Sequence, residues 1–281
     1  KDFDTNAVFY NKEIFDKAGV EYPSDNMTFE DFKAKCEELK NAGLPEGTYP
    51  TAVNRNSGQT TYDASVFANG GYFLSEGNEK SGWDDPKTIE AVQSWLDLVS
   101  EGLSPTLDQM ADTDPDAMFQ GGQLAMYLSG NYMIASYDKT LEGKYGIAKR
   151  PTYNGKDTDI INGLAFSVSA NTKHPEEATD FALWLGSEEA QKINGEAGVC
   201  ISARNDCQQY FVDAHEGLNC QIFLDNVANA ELLPHCKITS QLGQVEKKYL
   251  EPAWKGEVKL EDACKSVAEE QNKLLEEMNA K

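Results

Sequence analysis

The sequence predicts an α/β protein, and three observations carry that prediction. Short β-prone runs ("FDTNAVFY", "LAMYL", "YGIAKRP", "GLAFSVSA") alternate along the chain with stretches of helical periodicity. Several of those stretches open on a recognisable start signal, Thr28 before "FEDF", Asp85-Pro86, Asp114-Pro115 and Ser187 before "EEAQ". Hydrophobic residues make up 40% and aromatic residues 10% of the 281, an ordinary globular composition on a length that suits about two domains.

Taken in order, residues 3–10 read as one short strand with its apolar residues at the end. Thr28 caps the next helix, with Asp31 three positions on as an approximate capping box, and Phe29, Phe32, Cys36 and Leu39 repeat at helical spacing until Gly43. "TYPTAVN" predicts a strand ending near Asn54, followed by a polar loop and a short helix closed by Gly70-Gly71. The helix opened by Asp85-Pro86 carries Ile89, Val92, Leu96 and Val99 on its core face and ends near Gly102. "DAMFQGGQLAMYLSGNY" predicts a helix, a glycine turn and a strand over 124–128. "YGIAKRP" and "GLAFSVSA" predict two more strands joined by the polar "TYNGKDTDIIN". "HPEEATDFALWLGSEEAQKING" then gives two consecutive helices, and the C-terminal third is mostly helical. Its last helix carries a stripe of Leu260, Ala263, Val267, Leu274 and Met278.

Twenty-five basic against 47 acidic residues leave a net charge of −22, which repels nucleic-acid phosphates and anionic lipid headgroups and excludes them as partners. No apolar run approaches the roughly 18–20 residues a membrane span needs. The opening "KDFDTNAVFY" has neither the basic start nor the apolar core of a leader. Six cysteines without a Cys-x-x-Cys pair or a histidine cluster make a metal site unexpected. Disulfides and buried thiols both stay open for them, the latter favoured for Cys36 and Cys264 on apolar helix stripes. Asp112, Asp114 and Asp116 have calcium-loop spacing, but Ala117 and Gln123 stand where that loop needs glycine and glutamate, so Asp114-Pro115 reads as a helix start. "NMT" at 26–28 matches a glycosylation acceptor but is better explained by Thr28 as a cap. His174, His215 and His235 have no metal or triad spacing, and paired acids face solvent.

Six segments in order give the chain a family likeness: "VFYNKEIFDKAGVEYP" with "TFEDF", "FANGGYF", "DPDAMFQGGQLAMYLSGNY", "GLAFSVSANTKHPEEATDFALWL" and "SEEAQKINGEAGVCISAR". Together they resemble the extracellular solute-binding proteins of carbohydrate ABC importers, the group that includes maltose-binding protein. The resemblance implies a two-lobed periplasmic-binding-protein-like fold of type II. In that family "FYNKEIF" follows the first crossover between lobes, so the chain is expected to lack most of its N-terminal lobe. Residues 1–146 and 205–281 would then form the C-terminal lobe, and 147–204 the returning part of the N-terminal lobe.

The same resemblance implies a carbohydrate ligand, expected to be an oligosaccharide, captured by lobe closure and delivered to the transmembrane subunits of an ABC permease. It further implies an extracytoplasmic location, a monomer when intact, no cofactor and no catalysis. Sugar capture needs flat aromatic faces for C–H surfaces and amides or carboxylates for hydroxyls. Tyr132, after Asn131 in "SGNY", stands where the family carries a stacking aromatic, usually tryptophan. The loop "NRNSGQTTYDAS" brings Asn54, Asn56, Gln59, Tyr62 and Asp63 to the expected cleft rim, although Asn and Ser also favour plain turns. Asn162-Gly163 precedes the returning strand, where a glycine either admits a ligand or serves a bend. A glycan-processing enzyme using Asp63 would need a second carboxylate about 5–10 Å away, and the sequence names none. An interaction module that presents ligand without transport is the remaining alternative.

Overall fold

The computed structural model describes residues 1–54 and 57–280. The first expected strand is two strands in two sheets, β1 (Asp2–Asp4) and β2 (Asn6–Asn11), separated by Thr5. β2 is the centre of an antiparallel sheet between β3 (Met126–Gly130) and β4 (Tyr145–Lys149). Successive side chains of a strand point to opposite faces, and here both faces are covered. Val8 enters one core cluster with Phe32, Trp95 and Val267, and Ala7 and Phe9 enter another with Phe119, Tyr137 and Phe223. That is why "AVF" is apolar at consecutive positions. β1 is the centre of a second sheet, between β6 (Asn162–Leu164) and β7 (Ile201–Ser202). Between them β5 (Asp159–Ile160) pairs in parallel with β8 (Ala230–Glu231).

On the Val8 side lie α2 (Phe29–Asn41), α4 (Pro86–Ser100), α11 (Thr239–Trp254) and α12 (Leu260–Asn279). The capping box at Thr28 and Asp31 is present, and Phe29, Phe32, Cys36 and Leu39 are all buried. α1 (Lys12–Ala18) follows β2 directly, and α3 (Asp63–Asn69) closes at Gly70 as the glycine pair implied. On the Phe9 side are α5 (Pro115–Gln120), capped by Asp114, and α6 (Ile134–Leu141), with α9 (Gln209–Ala214) and α10 (Gln221–Asp225). α7 (Pro175–Leu185) and α8 (Glu188–Glu196) follow the second sheet, α7 beginning after His174 and α8 capped by Ser187.

Four expectations are corrected. Residues 51–54 form no strand; their backbone is held by Leu103 O and the Ser104 hydroxyl, which take the amides of Thr51 and Val53. The "GLAFSVSA" ladder stops at Leu164, because its register on β1 runs out at the Asp2 pair. On α4 the buried face is centred on Ala91, Trp95 and Leu98, with Ile89 and Leu96 at its edges. Trp95 sets that rotation: its ring lies 5.1 Å from Phe29 and its indole N–H donates to Ser65 at 2.9 Å. The stripe on α12 ends on Gln271 and Leu275 instead of Leu274 and Met278, since Gln271 donates inward to Leu242 O and Glu246. All six cysteines are free thiols, with all but Cys236 buried, and no metal-holding cluster occurs among the described residues. No helix among them is long and apolar enough to cross a membrane.

The second sheet is less well covered than the first. α7 buries no residue; Phe181, Leu183 and Trp184 on it stand exposed, as do Leu164 of β6 and Ile193 of α8.

Candidate functional site at the strand crossovers

The chain changes sheet at Thr5 and again between β4 and β6, and these passages meet on one buried carboxylate. Asp159 Oδ2 accepts from the Asn6 amide at 2.8 Å and from Asn226 Nδ2 at 3.0 Å. Its Oδ1 accepts from Asn6 Nδ2 at 2.9 Å and from its neighbour, the Ile160 amide, at 2.8 Å. Burial pushes the Asp159 carboxyl up, while the Arg150 guanidinium and these donors pull it back. Arg150 is itself buried and points at a 3-10 turn (Gly58–Thr60), donating to Gln59 O at 3.3 Å and to Thr61 O. The polar loop read from the sequence is therefore held against the crossover by a cation.

From that turn Gln59 reaches two neighbouring strands of the second sheet. Its amide N–H donates to Asp4 at the end of β1, and its carbonyl accepts from Asn162 Nδ2 at 2.5 Å at the start of β6. Burial lifts the Asp4 carboxyl to about 6, with Asp159 and Asp2 adding to the rise and Gln59 opposing it. Tyr132 begins the adjoining region, in a 3-10 turn (Asn131–Met133) after β3. It is 46% exposed, and its phenol is raised by burial and by the Asp4 and Asp116 carboxylates. Its ring lies over Gly130, where a side-chain carbon would sit 2.2 Å from it, so the glycine is what admits this placement. Asn54 donates to the Tyr127 hydroxyl at 3.3 Å, and Tyr127 donates on to Asp116 at 3.4 Å.

Other sequence candidates have different places. Asn131 is buried and tied to the crossover backbone, accepting from the Thr5 amide at 3.1 Å and donating to Phe3 O at 3.4 Å. Gly163 pairs with Phe3, and a side-chain carbon there would make only an ordinary 3.7 Å contact with Asp2 O. Asn56 lies outside the described residues.

Tyr62 and Asp63, with Gly58 of the same 3-10 turn, line a cavity of about 410 Å³. Tyr62 stacks on Trp254 of α11 at 6.0 Å and meets Trp83 edge-on at 6.3 Å. Glu246 of α11 lines the cavity too and accepts from Trp83 Nε1 at 3.1 Å and Gln271 Nε2 at 2.8 Å. Gly58 rests against Asp63, leaving no room for a side chain, which would come within 2.3 Å of its carboxylate. Burial, reinforced by Glu246 and opposed by Arg150, lifts the Asp63 carboxyl to about 7. Asp4, Arg150, Trp83, Glu246 and Trp254 escaped sequence reasoning. A charged residue at a strand's end ("AKRP") and a tryptophan closing a helix ("LEPAW") were the available signals.

Asp4, Gln59, Tyr132 and Asn162 thus gather at the strand crossovers, and comparison with known proteins gives the family of the chain. Residues 1–192 match the family of bacterial extracellular solute-binding proteins, and the chain belongs to that family. The family is non-catalytic. An arabinooligosaccharide-binding protein of Bacillus subtilis is 29% identical over 197 residues, 67% of this chain and 44% of that protein. The chain thus spans about half the length of the curated relatives it matches. Among solved structures, an ABC substrate-binding protein of Listeria monocytogenes in complex with cycloalternan matches with a TM-score of 0.83 at 22% identity. That match covers 98% of this chain and 70% of that one. The GacH receptor of Streptomyces glaucescens, solved unliganded and with acarbose, matches with a TM-score of 0.81 at 22% identity, with the same coverage of each chain. These likenesses give the chain a periplasmic-binding-protein-like α/β fold.

Proposed function

We propose that the protein is the extracytoplasmic substrate-binding component of an ABC importer, that its ligand is a carbohydrate, and that it hands this ligand to a membrane permease. The observation that carries the reading is Tyr132, a half-exposed ring held at the crossover beside the Asp4–Gln59–Asn162 row. An open aromatic face suits the C–H face of a sugar ring, and the row offers acceptors and amides for hydroxyls. Family membership and relatives solved with sugars support it.

Because Asp4 and Asn162 belong to the small sheet while Tyr132 follows β3, a ligand touching all three bridges the two sheets. Such contacts are made only when the two parts close, and that difference is what a ligand uses to stabilise a closed state. The division at 146/147 and 204/205 is part of the same proposal. Calorimetry with a panel of oligosaccharides tests the reading through Tyr132→Ala. Removal of a stacked ring costs on the order of 1–3 kcal/mol by analogy with base stacking, so affinity falls roughly tenfold to a hundredfold with the melting temperature unchanged. Normal binding with an earlier melt makes Tyr132 a packing residue and removes the sugar from this place.

A further inference from the structure

The cavity behind the 3-10 turn holds a carboxylate that the protein leaves unmatched. Asp63 is only 7% exposed, yet among the described residues no hydrogen-bond donor or ion-pair partner meets its side chain. Buried carboxylates are ordinarily paired or hydrogen-bonded, since leaving one without a partner is costly. Arg150 is the cation that acts on it, but the Arg150 guanidinium is spent on the Gln59 and Thr61 carbonyls and is shared with Asp159. Glu246 faces the same cavity and adds a second negative charge, while Lys247 stands at its exposed rim. The remaining wall is aromatic: Tyr62 stacked on Trp254, Trp83 edge-on to Tyr62, and Phe73 at 5.2 Å from Trp83.

Aromatic faces around a buried carboxyl group that lacks a hydrogen-bonding partner are an environment that holds an organic cation, whose charge in turn favours the ionised carboxylate. The ring quadrupoles attract positive charge, and the carboxylate supplies a charge-assisted acceptor. A hydroxyl-only ligand would satisfy the acceptor but supply no counter-charge to favour the ionised form. We infer that this cavity takes the ammonium group of a basic ligand, so that the carbohydrate bound by the receptor carries an amine on the residue that enters between Asp63 and the Tyr62–Trp254 wall. This rests on the receptor reading above and narrows its substrate class. The volume of about 410 Å³ is at the lower end of ordinary small-molecule sites of roughly 300–1,000 Å³ and admits a small part of an oligosaccharide. The excess of acidic residues over the whole surface also favours approach of a cation.

Calorimetry at neutral pH with three probes tests it: a disaccharide of glucosamine, its N-acetylated form and cellobiose, which replaces the amine with a hydroxyl. The free amine is expected to improve affinity on the order of tenfold over both neutral forms, as one charge-assisted, ring-bounded contact would. Asp63→Asn is expected to erase that preference. Glu246→Gln, which keeps the acceptor for Trp83 and Gln271, is expected to reduce it several-fold and reports on the cavity should the Asp63 variant fold poorly. Equal binding of the three probes overturns the inference and leaves the receptor reading standing. A preference for the amine that survives Asp63→Asn in a folded variant places the cation elsewhere and also overturns it. No binding of these or of any other oligosaccharide overturns both.

Discussion

Replacing Asp63 with asparagine turns the unmatched carboxylate into a neutral group of the same shape, and the effect on stability depends on pH in a calculable way. The folded protein holds this carboxyl at about 7 against an ordinary value of 3.8, chiefly by burial. Between those values the folded state keeps a proton that the unfolded chain has released. Stability from this site is therefore complete below about pH 4, declines as pH rises, and is lost above about pH 7. At about 1.4 kcal/mol for each pH unit, the whole effect is on the order of 4 kcal/mol, and about 3 kcal/mol of it falls between pH 5 and pH 8. Asp63→Asn has no such dependence. Urea unfolding followed by tryptophan fluorescence should show the variant gaining on the wild type by about 3 kcal/mol between pH 5 and pH 8. A constant difference across that range, or a variant that loses ground at pH 8, would refute the claim that burial of Asp63 outweighs the Arg150 counter-charge.

Two further outcomes follow from the crossover geometry. Asp159→Asn sets an amide N–H against donors that now share the two carboxylate oxygens, those of Asn6, Asn226 and the Ile160 backbone. At about 1–3 kcal/mol for each buried group left unpaired, the urea midpoint should fall by the equivalent of about 2–5 kcal/mol, and a change below about 1 kcal/mol would mean that the crossovers are not joined through Asp159. Gly130→Ala places a carbon 2.2 Å from the Tyr132 ring and must displace it. Sugar binding should weaken by as much as in Tyr132→Ala, read by calorimetry, with the unfolding midpoint changed by less than about 1 kcal/mol because the ring is half exposed; unchanged affinity separates the ring from the ligand.

Local elements were legible in the sequence wherever one short-range rule decided them. The Thr28–Asp31 box, Asp85-Pro86, Asp114-Pro115 and Ser187 each open a helix as read, because a cap is settled by neighbours within one turn. Long-range partners were not legible. Nothing near Thr5 announces that "FDTNAVFY" is split between two sheets, since the split is defined by strands more than a hundred residues away. Residues 51–54 have strand-like composition but are held by Leu103 and Ser104. For the site, Gln59 and Asn162 could be named beforehand and do meet, yet that contact and the one from Gln59 to Asp4 depended on tertiary register. Asn131 and Asp63 look alike in sequence as polar residues beside an aromatic. One is consumed by the crossover backbone and the other is left facing a cavity, and only packing distinguishes them.

Amide hydrogen exchange with and without a saturating oligosaccharide tests the central claim most directly, because it asks where on this chain the ligand acts. The account predicts slowed exchange at 4–6, 59–63, 130–132 and 159–163, the segments that carry Asp4, Gln59, Tyr132 and Asn162 and the crossovers that close around them. Ligand-dependent protection confined to the groove formed by 93–108 and 253–261, with the crossover amides unchanged, would contradict it.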